Sequence, residues 1–144
     1  MLITDIKLWN IYFVPLCRRA KPEPKDKFVV VAAIDGNHFY AFMINSGIRD
    51  FIKKQPRLLN CEAKIFQPEH DFVLKHNSYI DCIELYSYEA NEFENSRGQL
   101  IGNALIALLN AVHDCEALPR RDKNLVKESL RQFIDSQTPS DNRA

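Results

Sequence analysis

The order of apolar and polar residues divides the chain into a front part that reads as strands and a back part that reads as helices. NIYFVPL, residues 10–16, is aromatic and β-branched, and KFVVVAAI, residues 27–34, is a short apolar run suited to a buried strand. HFYAFMIN, residues 38–45, follows after Asp35-Gly36-Asn37. Asp-Gly between two strand-like runs is the strongest hairpin signal in the chain. IRDFIKKQPRLL, residues 48–59, sets Phe51 and Ile52 among basic residues and predicts a short helix cut at Pro56. CEAKIFQ, residues 61–67, alternates, with Ala63 and Ile65 opposite Lys64 and Phe66. YIDCIELY, residues 79–86, alternates as well, with Ile80, Cys82 and Glu84 on one face and Asp81, Ile83 and Leu85 on the other.

Beyond residue 100 the period lengthens. LIGNALIALLNAVHDC repeats apolar residues at Ile101, Leu105, Leu108 and Val112, a helical stripe, and Ser96 with Gln99 is spaced to cap its start. Asp122 then opens a last amphipathic helix through Leu125, Val126, Leu130 and Phe133. About five strands followed by two helices predict a strongly bent sheet or barrel with helices packed at one side. Residues 1–136 read as one domain, and residues 137–144 as a polar, flexible tail.

Composition narrows the functional classes. With 46% hydrophobic and 26% charged residues over 144 positions, the chain has the make-up of a globular domain with a real core. Lys plus Arg equals Asp plus Glu at 19 each, so any contact with a polyanion must come from a local basic patch. No apolar run approaches the roughly 20 residues that span a membrane, and MLITDIKLWN is not built like a signal peptide. Cys17, Cys61, Cys82 and Cys115 are widely spaced, so free thiols and a cytoplasmic setting are expected.

The stretch KHNSYIDCIELY, residues 75–86, crowds a histidine, a serine, an aspartate and a cysteine together. A zinc site on His70, His76 and Cys82 would need ligands six residues apart with no second close pair, so a polar loop entering a strand is the better reading, and no metal is expected. A nucleophile at Ser78 lacks a Gly-x-Ser-x-Gly elbow. Cys82 in phase with Ile80 reads as a buried thiol. Two other features carry more chemistry. RRAKPEPK, residues 18–25, is a proline-rich loop that concentrates guanidinium and ammonium groups, suited either to phosphate contact or simply to solvation. INS, residues 44–46, sets Ser46 at a strand exit beside Gly47, where its hydroxyl could donate to a phosphate or cap the next helix.

Together these stretches resemble the PemK/MazF-like toxin superfamily, from about residue 10 to residue 130. NIYFVPL resembles the opening strand, the Arg/Pro loop with KFVVVAAIDG the loop and strand that follow, and FYAFMINS the apolar strand ending in Thr-Ser or Asn-Ser. HNSYIDCIEL resembles the segment in which Asp-Ser leads into an edge strand, and RGQLIGNALIALLNAV the Gly-x-Leu turn and C-terminal helix. The chain departs from the pattern where Trp9-Asn10 replaces the opening Gly-Asp, and where Asp26-Lys27 stands in place of Arg-Pro before the second strand.

The resemblance implies an α+β fold: a small SH3-like, strongly bent antiparallel β-barrel of about five strands with C-terminal helices. It implies metal-independent cleavage of single-stranded RNA by the RNA's own 2'-hydroxyl, with no cofactor. Carried over by position, Arg18 or Arg19 and the Ser46 hydroxyl serve the scissile phosphate, and Lys21, Lys25 and Lys27 hold the RNA. It also implies a homodimer and a cognate antitoxin as partner. A barrel that keeps the groove and binds RNA or a protein without cleaving is the alternative.

Overall fold

The Asp-Gly hairpin forms as the sequence predicts. Strands β2 (Lys25–Asp35) and β3 (His38–Asn45) run antiparallel with Asp35 opposite His38. Gly36 and Asn37 alone make the turn, and Gly36 takes a φ of 60°, a conformation that costs glycine little. The computed structural model describes residues 5–65 and 77–137. Its other strands are β1 (Asn10–Cys17), β4 (Glu62–Ile65), β5 (Ser78–Tyr88) and β6 (Ser96–Gln99). They form one antiparallel sheet in the order β4-β5-β3-β2-β1-β6, curled into a half-barrel. Two single-turn helices, α1 (Asp50–Lys53) and α2 (Pro56–Leu59), follow β3. Pro56 ends the first segment and opens the second at its first turn, where its missing N–H costs nothing. Helices α3 (Gly102–Asp114) and α4 (Arg120–Gln137) close the chain.

The sheet separates two cores. On one face Trp9, Ile11, Val30, Phe42, Ile65 and Ile80 pack against Leu108 and Val112 of α3 and Val126 of α4. On the other, Tyr12, Val29, Val31, Phe39, Ala41, Tyr88 and Phe93 form a second cluster. The long apolar run in β2 is explained by this arrangement, since its alternate residues serve both cores.

Several expectations are corrected. The sheet has six strands rather than about five, because Ser96–Gln99 pairs with β1 through Asn10↔Gln99 and Tyr12↔Ser96. Ser96 therefore caps no helix; its hydroxyl accepts from Asn10 Nδ2 at 3.1 Å, while Ile101 stands at the cap of α3 without a side-chain bond. Ile101 is consequently exposed, and the buried stripe of α3 is Ala104, Leu108, Ala111 and Val112. Helix α4 begins at Arg120, with the Pro119 carbonyl accepting from the amides of Asp122 and Lys123.

Strand β5 does not alternate evenly. Ala41 faces Tyr86 and Met43 faces Asp81, so two residues of β3 span five of β5 and the phase inverts at the bulge. Ile83 and Leu85 join Ile80 and Cys82 on the helix side, and Glu84 leaves that face for the opposite one, where it lines a cleft. The expectation of free thiols fails at two positions: Cys61 and Cys115 form a disulfide with Cα atoms 4.6 Å apart, 54 residues distant in sequence. Packing of α3 across β4 brings them together, a tertiary contact with no spacing signal. Cys17 and Cys82 are free and buried.

Candidate nucleic-acid interface

The second apolar face turns polar at one end of the sheet. Along β2 and β3 it runs through Val31 with Ala41 and Val29 with Met43. One step past the Phe28↔Ile44 pair, Lys27 donates from Nζ to Asn45 Oδ1. Next to Met43 on β5 stands Asp81, which accepts from Arg49 Nη2 at 2.9 Å and from the Ile83 amide at 3.0 Å. These side chains floor a cleft of about 220 Å³, walled by Arg19, Lys21 and Lys25 of the proline-rich loop, by Ser46, Gly47 and Arg49, and by Glu84 and Tyr86. Five cationic side chains line it against two acidic ones, in a chain with formal net charge zero. That is the local basic patch a polyanion needs.

Burial tunes two of the groups here. It lowers the pKa of the half-buried Lys27 ammonium, and the neighbouring charge of Lys25 lowers it further. Beneath the cleft Glu62 pairs across strands with Asp81, and burial, then the Asp81 charge, push its carboxyl up to about 8. Among the described residues Glu62 Oε2 has no hydrogen-bond partner. Glu62 is thereby biased toward its neutral form, and Arg49 meets the neighbouring Asp81 carboxylate.

The loop arginines part company. Arg19 reaches the cleft but is held by Glu92, Nη1 to Oε1 at 2.6 Å and Nη2 to Oε2 at 3.2 Å, with its guanidinium 4.2 Å from the centre of the Tyr88 ring. Arg18 is exposed and lines a separate groove with His38, Tyr88 and Glu92. Ser46 is exposed at the cleft wall and caps nothing; Arg49 occupies the cap position of α1. So the structure gathers Arg19, Lys21, Lys25, Lys27 and Ser46 in one place and leaves Arg18 out of it. Sequence reasoning missed Arg49, Asn45, Asp81 and Tyr86. Arg49 was findable, three residues after Ser46 at the same strand exit; Asp81 and Tyr86 reach this face together only through the β5 bulge.

Among the described residues no three His, Cys, Asp or Glu side chains gather as a metal site. His70 and His76 lie outside the described residues. No described helix is long and apolar enough to cross a membrane.

Comparison with protein-family models and with curated protein sequences finds no match. Solved structures do match. The Mycobacterium tuberculosis toxin MazF-mt6 superposes with a TM-score of 0.54 at 15% identity, over 76% of this chain and 98% of the toxin. An endoribonuclease solved in complex with its cognate antitoxin, from a mycobacterial species, superposes with a TM-score of 0.57 at 10% identity, over 79% of this chain and 97% of its own. The six-stranded half-barrel with its C-terminal helices thus has the fold of the MazF/PemK-like toxins.

Proposed function

We propose that the protein is an endoribonuclease toxin that cuts single-stranded RNA in the cationic cleft without a metal. The observation that carries this reading is the concentration of Arg19, Lys21, Lys25, Lys27 and Arg49 around Ser46 in one cleft of an otherwise neutral chain. The likeness in fold to an endoribonuclease and to a MazF toxin supports it.

The chemistry asks little of the protein. The RNA's 2'-hydroxyl gives up its proton to solvent as it attacks the adjoining phosphorus, the bond to the 5'-oxygen breaks as that oxygen takes a proton from the protein, and a 2',3'-cyclic phosphate remains. Proximity within the substrate supplies the nucleophile. The protein must hold the phosphate, neutralise the charge that grows on it, and move protons. Lys25 binds the phosphate, and the Ser46 hydroxyl donates to one of its oxygens. Arg19, once released from Glu92, faces the developing charge. Lys27, whose lowered pKa eases proton loss, donates to the departing 5'-oxygen. A homodimer in the cytoplasm, opposed by a cognate antitoxin, completes the reading.

The alternative is a barrel that binds RNA or a protein without cutting. The bidentate hold of Glu92 on Arg19 favours it, because a guanidinium so engaged has fewer donors for a phosphate. Incubation of purified protein with a varied panel of labelled single-stranded RNAs, in excess chelator, separates the two. Fragments ending in cyclic phosphate are expected. Intact RNA across the whole panel would leave only the binding module.

A further inference from the structure

Five large apolar side chains are strongly exposed among the described residues, and Phe51 is the aromatic one. It sits in α1, five residues after Ser46, outside the cleft lining but in contact with Arg49, which does line the cleft. Its exposure is not forced by packing needs, since the neighbouring Ile52 is the α1 residue that enters the protein, at 1% exposure against 49% for Phe51. Over its ring lies the guanidinium of Arg49, 4.8 Å from the centroid. Arg49 is fixed twice, by the ring on one side and by Asp81 at its edge, yet its side chain remains 43% exposed. A planar cation is thus pinned at the wall of a phosphate-binding cleft, backed by an aromatic ring and open to solvent.

We propose that Arg49 and Phe51 form a stacking subsite for the nucleobase next to the phosphate held in the cleft. The inference rests on single-stranded RNA being the ligand of that cleft, as proposed above. A phosphate and its neighbouring base are joined through one ribose, so a chain bound at Lys25 and Lys27 has its next base within reach of Arg49, which lines the same cleft. There a base gains stacking and cation–π energy on surfaces already in place, with no side chain to order. Stacking accepts every base, so this subsite adds affinity and register and discriminates little between sequences.

The test is binding of a short labelled single-stranded RNA to wild type, Phe51→Ala, Phe51→Leu, Phe51→Trp and Lys25→Ala across a salt series, with circular dichroism as fold control. Loss of one stacked base predicts about tenfold weaker binding for Phe51→Ala, with Phe51→Trp matching wild type. The salt slope should stay unchanged in the Phe51 variants and fall by about 0.7 in Lys25→Ala, which loses one phosphate contact. Replacing one nucleotide by an abasic unit should weaken wild type about tenfold and Phe51→Ala far less. If Phe51→Ala fails to fold, Phe51→Leu decides, because leucine keeps an apolar side chain without a π-face. Wild-type affinity in Phe51→Ala or Phe51→Leu, with Lys25→Ala weakened, overturns the subsite and leaves the cleft standing. No RNA binding by wild type overturns both.

Discussion

Glu92 takes both terminal nitrogens of Arg19, at 2.6 and 3.2 Å, while Tyr88 covers the guanidinium face. Its Oε2 also accepts from the Glu89 amide at 2.8 Å, so one carboxylate ties the loop arginine to the turn after β5. Arg19→Ala should lower cleavage by about 10²-fold, the scale of losing one donor to a developing oxyanion, and Arg18→Ala should leave the rate near wild type. Glu92→Gln frees Arg19 and should raise the rate or hold it, for about 1 kcal/mol of stability, since both partners are only about a quarter exposed (27% and 28%). Ser46→Ala should slow cleavage without moving the melting temperature, because Ser46 caps no helix. Cleavage rates and thermal melts of the four variants check this. A larger loss in Arg18→Ala than in Arg19→Ala would reverse the assignment.

Glu62 makes stability depend on pH in an unusual direction for a carboxylate. Its pKa rises from 4.5 in the open chain to about 8 in the fold, through burial and then the Asp81 charge. Between those values the folded state keeps a proton that the unfolded state has lost. The stabilisation is whole below about 4.5 and is lost as pH rises through about 8. Glu62→Gln mimics the protonated form, so it should match wild type near pH 5 and exceed it near pH 9. Urea midpoints across that range provide the measurement, and parallel curves for the two proteins would sink the account.

The Cys61–Cys115 disulfide closes a loop of 54 residues. Loop-closure entropy for that length predicts about 4 kcal/mol of stabilisation. Reduction, or Cys61→Ser with Cys115→Ser, should lower the melting temperature by many degrees, because the sulfurs anchor the start of β4 to the end of α3. Cys17→Ser should respond to reductant just as wild type does. A melt unchanged by reductant would show the bridge to be unimportant.

Local pattern carried far along this chain. Strand β3 runs over the residues its composition predicts, and Asp35-Gly36 turns as its chemistry requires. What stayed hidden was everything set by contacts distant in sequence. Ser96 and Gln99 look like a helix cap, yet Ser96 ends beside Tyr12 because an unpaired β1 edge is available to it. Glu84 falls in phase with Ile80 on paper, and the bulge opposite Ala41 and Met43 turns it into the cleft. The candidate site was legible in the same measure. The loop lysines, Arg19 and Ser46 announce themselves by charge and by position at strand ends, whereas Arg49 acquires its meaning from Asp81 on a strand 32 residues away. The toxin likeness carried the overall fold, and the pairing of individual groups had to come from the sheet.

Lys27 offers the last test, because its titration is linked to a neighbour that can be removed. Burial lowers its pKa from 10.5, and the Lys25 charge is the second cause. In its proposed role as proton donor to the departing 5'-oxygen, Lys27 must be charged, so the proposed cleavage should fall on the alkaline side as pH passes its lowered pKa. Lys25→Ala removes a like charge and must raise that pKa, so the alkaline limb should move to higher pH even as the rate drops from the lost phosphate contact. Lys27→Arg keeps the charge and the bond to Asn45 within reach, but a guanidinium holds its proton throughout this range, so its alkaline limb should disappear. Lys27→Met should lose about 10²-fold or more, the range of general acid catalysis. Single-turnover rates from pH 6 to 10 for the four proteins are the measurement. An alkaline limb in the same place for wild type and Lys25→Ala would remove Lys27 from proton transfer and leave it as a phosphate ligand alone.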